Sequence, residues 1–195
     1  KKLHNESIVI DAHLDLAGEI NNRFQAGEKE IIKNYYLENF KKAGINIVVS
    51  SIFIDDMFLP ELALRNALDQ ISGLYDDIKT CEEEVTLIKT KEDLDRVIKE
   101  KKIGIILSFE GVEPLVNDIK LLNIFYELGV RGVGLVWSRR NYAADGCFFS
   151  PVEEGKKGGL TTFGVQVVKE ANKRGMFLDV SHLNDEGFWD LIERT

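Results

Sequence analysis

Five apolar runs rich in β-branched residues recur along the chain, and amphipathic segments separate them. The runs are Ser7–His13, Asn46–Phe53, Ile103–Glu110, Val130–Trp137 and Met176–His182. Their unbroken hydrophobicity is typical of strands that are buried on both faces, as in a parallel sheet. The alternation of such runs with helical segments predicts an α/β fold built from consecutive βαβ units with right-handed crossovers.

The segments between the runs carry helix signals. Glu28–Ala43 has apolar residues close to a 3.6-residue period and is followed by Gly44, a natural helix stop. Thr90 offers a hydroxyl cap before an acidic first turn. The other predicted helices are Pro60–Lys79, Leu115–Leu128, Thr162–Arg174 and a last helix that opens at Asn184.

Two architectures fit parallel strands in this order, an open doubly wound sheet and a (β/α) barrel. No glycine-rich G-x-G-x-x-G turn follows the first run, which disfavours a dinucleotide-binding sheet. A barrel closes with about eight strands, and this chain supplies about five. We therefore predict a TIM-like (β/α)8 barrel of which about the first five β/α units are present. Residues 1–195 would form a single partial barrel domain that lacks the C-terminal strands.

Ionisable residues stand where three of the apolar runs end. Asp11, His13 and Asp15 alternate around the end of the first run, Glu110 ends the third and His182 ends the fifth. In a parallel barrel all strand C-termini lie on one face, so these side chains would meet in one pocket. The two imidazoles, together with the carboxylates of Asp15 and Glu110, suit zinc or a similar divalent ion, and a carboxylate such as Glu110 can bridge two ions. The pattern predicts a metallo-hydrolase site.

Each of these residues also has an ordinary structural interpretation. A lone His after a strand is commonly a hydrogen-bonded structural residue, and Glu110 before Gly111 could be a solvated turn residue. Asp11 and Asp15 could cap the following helix or turn. We prefer the metal interpretation because the ligand-type residues occur together at three strand ends.

The composition limits the kinds of partner. A net charge of −8 argues against nucleic-acid binding, which needs a basic surface. No apolar run approaches the ~18 residues of a membrane-spanning helix, and no signal peptide is visible. Cys81 and Cys147 form no disulfide framework and suit a reducing compartment. We expect a cytoplasmic protein without a transmembrane segment, whose open barrel edges favour a homo-oligomer.

Four sequence blocks resemble those of the membrane (renal-type) dipeptidases, peptidase family M19. "IDAHLDL" resembles the family's D-x-H-x-D signature, and "LSFEGVEPL" is similar to its S-x-E-G segment. "LGVRGVGLVWSRRNYAADG" resembles the stretch that ends in A-D-G, and "GGLTTFGVQVVKEANKRGMFLDVSHLND" resembles the block with D-x-S-H. The blocks keep the family's order over residues 8–185. The chain is therefore similar to the N-terminal part of an M19 enzyme.

The resemblance implies a zinc-dependent dipeptidase in which a hydroxide bridging two Zn²⁺ ions attacks the scissile carbonyl. Dipeptides with a D-residue at the C-terminal position are often tolerated. His13 and Asp15 would bind the first zinc, Glu110 would bridge both ions, and His182 would bind the second. The position of the substrate-contacting His of the better-known mammalian members matches Trp137 or Ser138. We align it with Trp137, which would line the pocket without supplying an imidazole.

A long loop follows the fourth strand, and loops of this length are often functional. Asn141, Tyr142 and Asp145 are predicted to border the substrate, and the alternative is a packed loop stabilised by Asn and Asp turns. Arg139 and Arg140 are expected at the exposed surface, with capture of a substrate carboxylate as the alternative. The resemblance places the remaining ligand His and the late acidic and basic residues after Thr195, so we expect the isolated chain to be weakly active or inactive.

Two other functions remain open at this point. Another amidohydrolase, or a lactonase, could use the same metal on the same barrel, since a fold does not determine a function. The chain could also be an inactive metal-binding or partner-binding fragment. Our preferred hypothesis is the hydrolysis of a small dipeptide substrate.

Overall fold

Parallel strands and α-helices alternate along the chain in a computed structural model that describes residues 2–151 and 155–195. The strands of this part are β1 (Ile10–Leu14), β2 (Ile47–Phe53), β3 (Val85–Leu87), β4 (Ile103–Glu110), β5 (Val130–Gly134) and β6 (Phe177–Asp179). Their order is β1-β2-β4-β5-β6, with β3 beside β4. The helices are α1 (Lys2–Glu6), α2 (Leu16–Gln25), α3 (Leu37–Ala43), α4 (Ala63–Lys79), α5 (Lys91–Glu100), α6 (Lys120–Glu127), α7 (Thr162–Arg174) and α8 (Asp185–Ile192).

The chain divides into two compact units, and the first contains Lys1–Ile52 and Leu68–Leu107. In it β1 pairs parallel with β2, and β3 pairs parallel with β4. Its buried apolar cluster joins strand and helix residues: Ile47, Ile88 and Val97, with Leu94 and Ile106 packed against them. Burial of these aliphatic side chains is what holds α5 against the sheet of this unit.

A buried carboxylate in α4 starts the helical segment that leads into α3. Asp77 is fully buried and accepts hydrogen bonds from the N–H groups of Ile31 and Ile32, at 2.8 and 2.7 Å. Ile31 and Ile32 stand at the start of a π-helical turn, Ile32–Tyr36. The first N–H groups of a helix have no partner within the helix, so the Asp77 carboxylate supplies their acceptor. Burial, followed by the charge of Asp77, raises the pKa of the nearby Cys81 thiol to about 11.

The second unit contains Phe53–Ala67 and Ser108–Thr195. In it β5 pairs parallel with β6, with Gly132 opposite Phe177. A Cβ on Gly132 would lie 2.2 Å from the Phe177 ring, so this register needs a glycine. Phe109 in β4 packs edge-to-face on Phe125 of α6, with ring centroids 4.9 Å apart.

The observed elements differ from the predicted ones at several places, among them β1, α6 and β3. The prediction that the strand of the first run is buried on both faces is wrong for β1, because Ile10 is 54% exposed. In the described part of the sheet, β1 lies at one end of the strand order and has a strand on one side only. The predicted helix Leu115–Leu128 shortens to α6, since Val116 and Asn117 adopt left-handed φ angles of 47° and 56°. The predicted strands do not include β3, whose three residues are too few to form a recognisable apolar run.

No helix in the described ranges combines the length and the apolarity that crossing a membrane requires.

Candidate metal centre

His13 and Asp15 form the first imidazole–carboxylate pair. His13 lies in β1 and Asp15 follows the strand, and Nε2 of His13 is 3.6 Å from Oδ1 of Asp15. Asp15 is at the N-cap position of α2, but its side chain makes no capping hydrogen bond. Its carboxylate instead accepts a hydrogen bond from the Ser51 hydroxyl. The capping alternative for Asp15 is therefore wrong, and its carboxylate lies beside the His13 ring.

Asp11 has a different, local role. Its Oδ1 accepts a hydrogen bond from the backbone N–H of His13 at 3.2 Å. The pairing of β1 with β2 is irregular between Asp11 and Leu14, which interrupts the two-residue alternation of the strand. The structural interpretation of Asp11, as a turn residue, is the one that its contact supports.

Glu110 and His182 form the second pair. Glu110 ends β4, and His182 follows β6. Nε2 of His182 lies 3.3 Å from Oε1 of Glu110, and the two side chains are only 24% and 12% exposed. The solvated-turn alternative for Glu110 is therefore wrong. Two strand ends that are far apart in the sequence place a nitrogen and an oxygen ligand atom side by side.

The aromatic rings of Trp137 and Phe149 lie beside the His182 imidazole. The Trp137 ring centroid lies 6.1 Å from that of His182 and 5.1 Å from that of Phe53. Phe149 packs edge-to-face on the imidazole with centroids 5.9 Å apart, yet its side chain is 76% exposed. The sequence prediction did not include Phe149, because a single aromatic residue in a loop has no periodic pattern. These rings provide apolar contact area beside a candidate ligand.

The side chain of Asn141 is occupied by the backbone of its own loop. Its Nδ2 donates to the Leu135 carbonyl at 2.8 Å, and its Oδ1 accepts from the N–H groups of Ala143 and Ala144. These bonds favour the packed-loop alternative for this residue. The predicted substrate contact of Asn141 remains a prediction.

Tyr142 borders a cavity of about 300 Å³ in the second unit and is 45% exposed. The cavity lining also includes Leu59, Pro60, Glu113 and Arg139. Residues 152–154 of the long loop lie outside the described residues. Tyr142 thus has open space beside it, which is compatible with its predicted role at the substrate.

Arg139 is largely shielded from solvent, whereas the sequence suggested an exposed surface residue. Its side chain is 13% exposed, and its Nε donates to Oε1 of Glu113 at 3.0 Å. Its two other nitrogens donate to Asp56 at 2.9 Å and to the Ile54 carbonyl at 2.8 Å. The sequence could not reveal these partners, because each is distant along the chain. The guanidinium links three segments of the second unit.

Asp145 fastens the loop through Arg140, and we expect this contact to be pH-dependent. Arg140 donates two hydrogen bonds to the buried carboxylate and Gly158 donates a third, which lowers the pKa of Asp145. Because the pKa of Asp145 is lower in the folded than in the unfolded state, its ionised carboxylate stabilises the folded protein at pH values above the unfolded-state pKa of about 3.9. This stabilisation is lost as the pH falls through the folded-state pKa.

Asp145→Asn should therefore reduce the free energy of unfolding by about 2 kcal/mol at pH 7. The difference from the wild type should shrink below about pH 4. Urea unfolding monitored between neutral and acidic pH measures both. A difference that is independent of pH would contradict this role of the carboxylate.

Comparison with known proteins identifies the family. The sequence profile described as membrane dipeptidase, peptidase family M19, matches residues 1–195. This chain belongs to peptidase family M19. The family that the four motif blocks suggested is thus confirmed, and the match extends over the whole M19 chain.

Curated relatives and solved structures extend the comparison. Dipeptidase tcpJ of Claviceps purpurea is 24% identical over 200 residues, covering 97% of the M19 chain and 45% of the relative. Dipeptidase 3 of Homo sapiens is 27% identical over 190 residues, covering 91% and 37%. A metallo peptidase from Rhodobacter sphaeroides, liganded with a phosphinate mimic of the dipeptide L-Ala-D-Ala, superposes with a TM-score of 0.85 at 23% identity, covering 96% and 62%.

The M19 chain therefore spans less than half the length of these curated relatives. The superposition confirms the predicted fold class, a parallel α/β fold that matches part of a TIM-like M19 barrel. The family uses metal, which agrees with the ligand types in the two pairs. The assignment of individual ligands remains a prediction, as do the substrate contacts and the single domain over residues 1–195.

Proposed function

We propose that this chain carries the metal-binding residues of a zinc-dependent dipeptidase, and that His13, Asp15, Glu110 and His182 are those ligands. The observation that carries the proposal is the 3.3 Å contact between His182 Nε2 and Glu110 Oε1 at two strand ends of an M19 chain. His13 and Asp15 add a second pair of the same chemistry, at 3.6 Å. As the family resemblance implies, Glu110 would be shared between two ions.

The donor atoms suit this metal. Zinc in catalytic sites takes imidazole nitrogen and carboxylate oxygen, whereas structural zinc sites use mostly thiolates. Cys81 is buried with a raised pKa, so its thiol is a poor ligand. When bound, divalent ions acidify a water molecule and polarise the scissile carbonyl. The residues of this chain would supply the ligand charge and fix the directions of the ligand atoms.

The proposed substrate is a dipeptide, including dipeptides with a D-residue at the C-terminal position. The phosphinate mimic of L-Ala-D-Ala in the Rhodobacter sphaeroides relative supports this class. Trp137, beside His182, offers an apolar wall to a substrate side chain. Tyr142 and Asn141 would border the substrate further along the same loop, with Tyr142 facing the open cavity.

A substrate panel tests the proposal on the complete gene product that contains these residues. The protein is freed of metal, reloaded with Zn²⁺, and assayed with dipeptides ending in L- or D-residues, with lactones and with phosphotriesters. We expect zinc-dependent hydrolysis of dipeptides. Preferential turnover of lactones or phosphotriesters would instead support another hydrolase on the same fold. Absence of stoichiometric zinc, together with unchanged stability in chelator, would support a non-catalytic module.

A further inference from the structure

The loop after β5 holds the backbone of His182. The φ angle of His182 is +66°, in the left-handed region that few residues other than glycine adopt. Its carbonyl accepts a hydrogen bond from the N–H of Cys147 at 2.6 Å, beside an antiparallel bridge between Gly146 and Leu183. A strained backbone persists only where surrounding contacts enforce it, and such residues cluster at functional sites.

The imidazole of His182 has a neighbour at each of its two nitrogens. Nδ1 lies 2.8 Å from Oγ of Ser138, and Nε2 lies 3.3 Å from Oε1 of Glu110. Ser138 is only 3% exposed, so its hydroxyl is shielded from competing water. The hydrogen bond at one ring nitrogen determines which nitrogen carries the proton and which keeps a lone pair for a metal.

We propose that Ser138 is a positioning residue whose hydroxyl oxygen accepts a hydrogen bond from Nδ1–H of His182, which leaves the Nε2 lone pair for the metal ion. The inference rests on the proposed function, because it takes His182 as a ligand. Metal-binding histidines almost always donate their second ring N–H to an acceptor, which orients the ring and raises its basicity. A serine hydroxyl provides acceptor lone pairs for this bond.

The neighbours of Ser138 keep its hydroxyl in place. Trp137 packs near the His182 ring, and Arg139 is tied to Glu113. A Cβ on Gly146 would lie 2.3 Å from the Trp137 carbonyl oxygen and 2.5 Å from the Arg139 nitrogen. Glycine at this position therefore lets the backbone that contacts His182 approach the backbone that carries Ser138. Both partners of the hydrogen bond are thereby fixed by one loop.

The first test needs no substitution at Ser138. The ¹⁵N shifts of the imidazole nitrogens, recorded for the Zn²⁺-loaded wild-type chain above the ordinary pKa of histidine, report the tautomer of each of its three histidines. The signals that disappear in His182→Ala identify the residue. We expect His182 to be protonated at Nδ1. Predominant protonation at Nε2 would overturn the proposal, whether or not any Ser138 variant folds.

The second test measures metal affinity. Ser138→Ala should weaken Zn²⁺ binding by about 10–100-fold, measured by competition with a chromogenic chelator, and should mix the His182 tautomers. Ser138→Thr retains a hydroxyl and should restore the affinity and the tautomer. Ser181→Ala removes the hydroxyl next to His182 in sequence and is expected to bind Zn²⁺ like the wild type. Circular dichroism of the metal-free variants checks that each one folds.

The outcomes separate this inference from the proposed function. If His182→Ala binds Zn²⁺ as tightly as the wild type, then His182 is no ligand and the proposed function loses its central residue. If His182→Ala loses affinity but the folded Ser138→Ala variant does not, the metal site stands and the role of Ser138 is wrong. Weakened binding in both, with rescue by Ser138→Thr, supports both.

Discussion

Glu110→Gln is expected to lower the affinity for Zn²⁺ by more than about 100-fold, since losing a direct ligand should exceed the effect of losing an outer hydrogen-bond partner. The substitution keeps the size of the side chain but removes the charge of a group that is 12% exposed and lies 3.3 Å from His182 Nε2. Dipeptide hydrolysis by the complete gene product should fall at least as steeply. Isothermal titration with Zn²⁺ and a steady-state assay measure the two effects.

Glu127→Gln is the matched control for this experiment. Glu127 is an exposed residue at the end of α6, so the same chemical change there should leave Zn²⁺ affinity and activity at wild-type levels. Unchanged Zn²⁺ stoichiometry and affinity in Glu110→Gln would remove Glu110 from the ligand set. The imidazole–carboxylate contact would then be only a structural hydrogen bond.

Asp77→Ala should reduce the free energy of unfolding by about 3 kcal/mol, the largest stability effect that we expect from a single substitution outside the metal ligands. Its carboxylate is fully buried and accepts the N–H groups of Ile31 and Ile32. Alanine would leave both donors buried without an acceptor, and each unsatisfied group costs about 1–3 kcal/mol. Urea denaturation at neutral pH measures the loss.

The neighbouring residue in α4 provides the control. Asp76 forms an exposed ion pair with Lys79 at 2.8 Å, so Asp76→Ala should cost less than about 1 kcal/mol. Asp77→Asn keeps one acceptor oxygen and should fall between the wild type and Asp77→Ala. Equal stability of Asp76→Ala and Asp77→Ala would show that the start of this helical segment does not depend on the buried carboxylate.

Local signals in the sequence predicted much of the fold. Thr90 and Asp93 form the reciprocal cap of α5, as the hydroxyl and the acidic first turn indicated. Gly44 and Gly175 end α3 and α7 with left-handed φ angles of 71° and 66°. These features depend on residues that are close in sequence, so the pattern alone reveals them.

Interactions between distant segments were beyond the sequence patterns. The three partners of Arg139 and the bond between Ser138 and His182 join residues that no periodic pattern relates. The metal-site hypothesis could relate residues that are distant in the sequence because it used family motifs and a topological rule. The rule is that the C-terminal ends of parallel barrel strands lie on one face. That rule predicted the approach of Glu110 to His182, but it contains no information about which side chain orients the imidazole.

The contacts of Cys147 and Ser138 with His182 join the loop after β5 to a residue that we propose as a zinc ligand. The same loop presents Trp137 and Tyr142 and also restrains the backbone and ring of His182. Grafting this loop from a relative would therefore disturb the geometry of His182, and with it the zinc retention that we propose. Protein engineers would do better to vary Phe149, which is exposed, and to leave the segment from Ser138 to Cys147 intact.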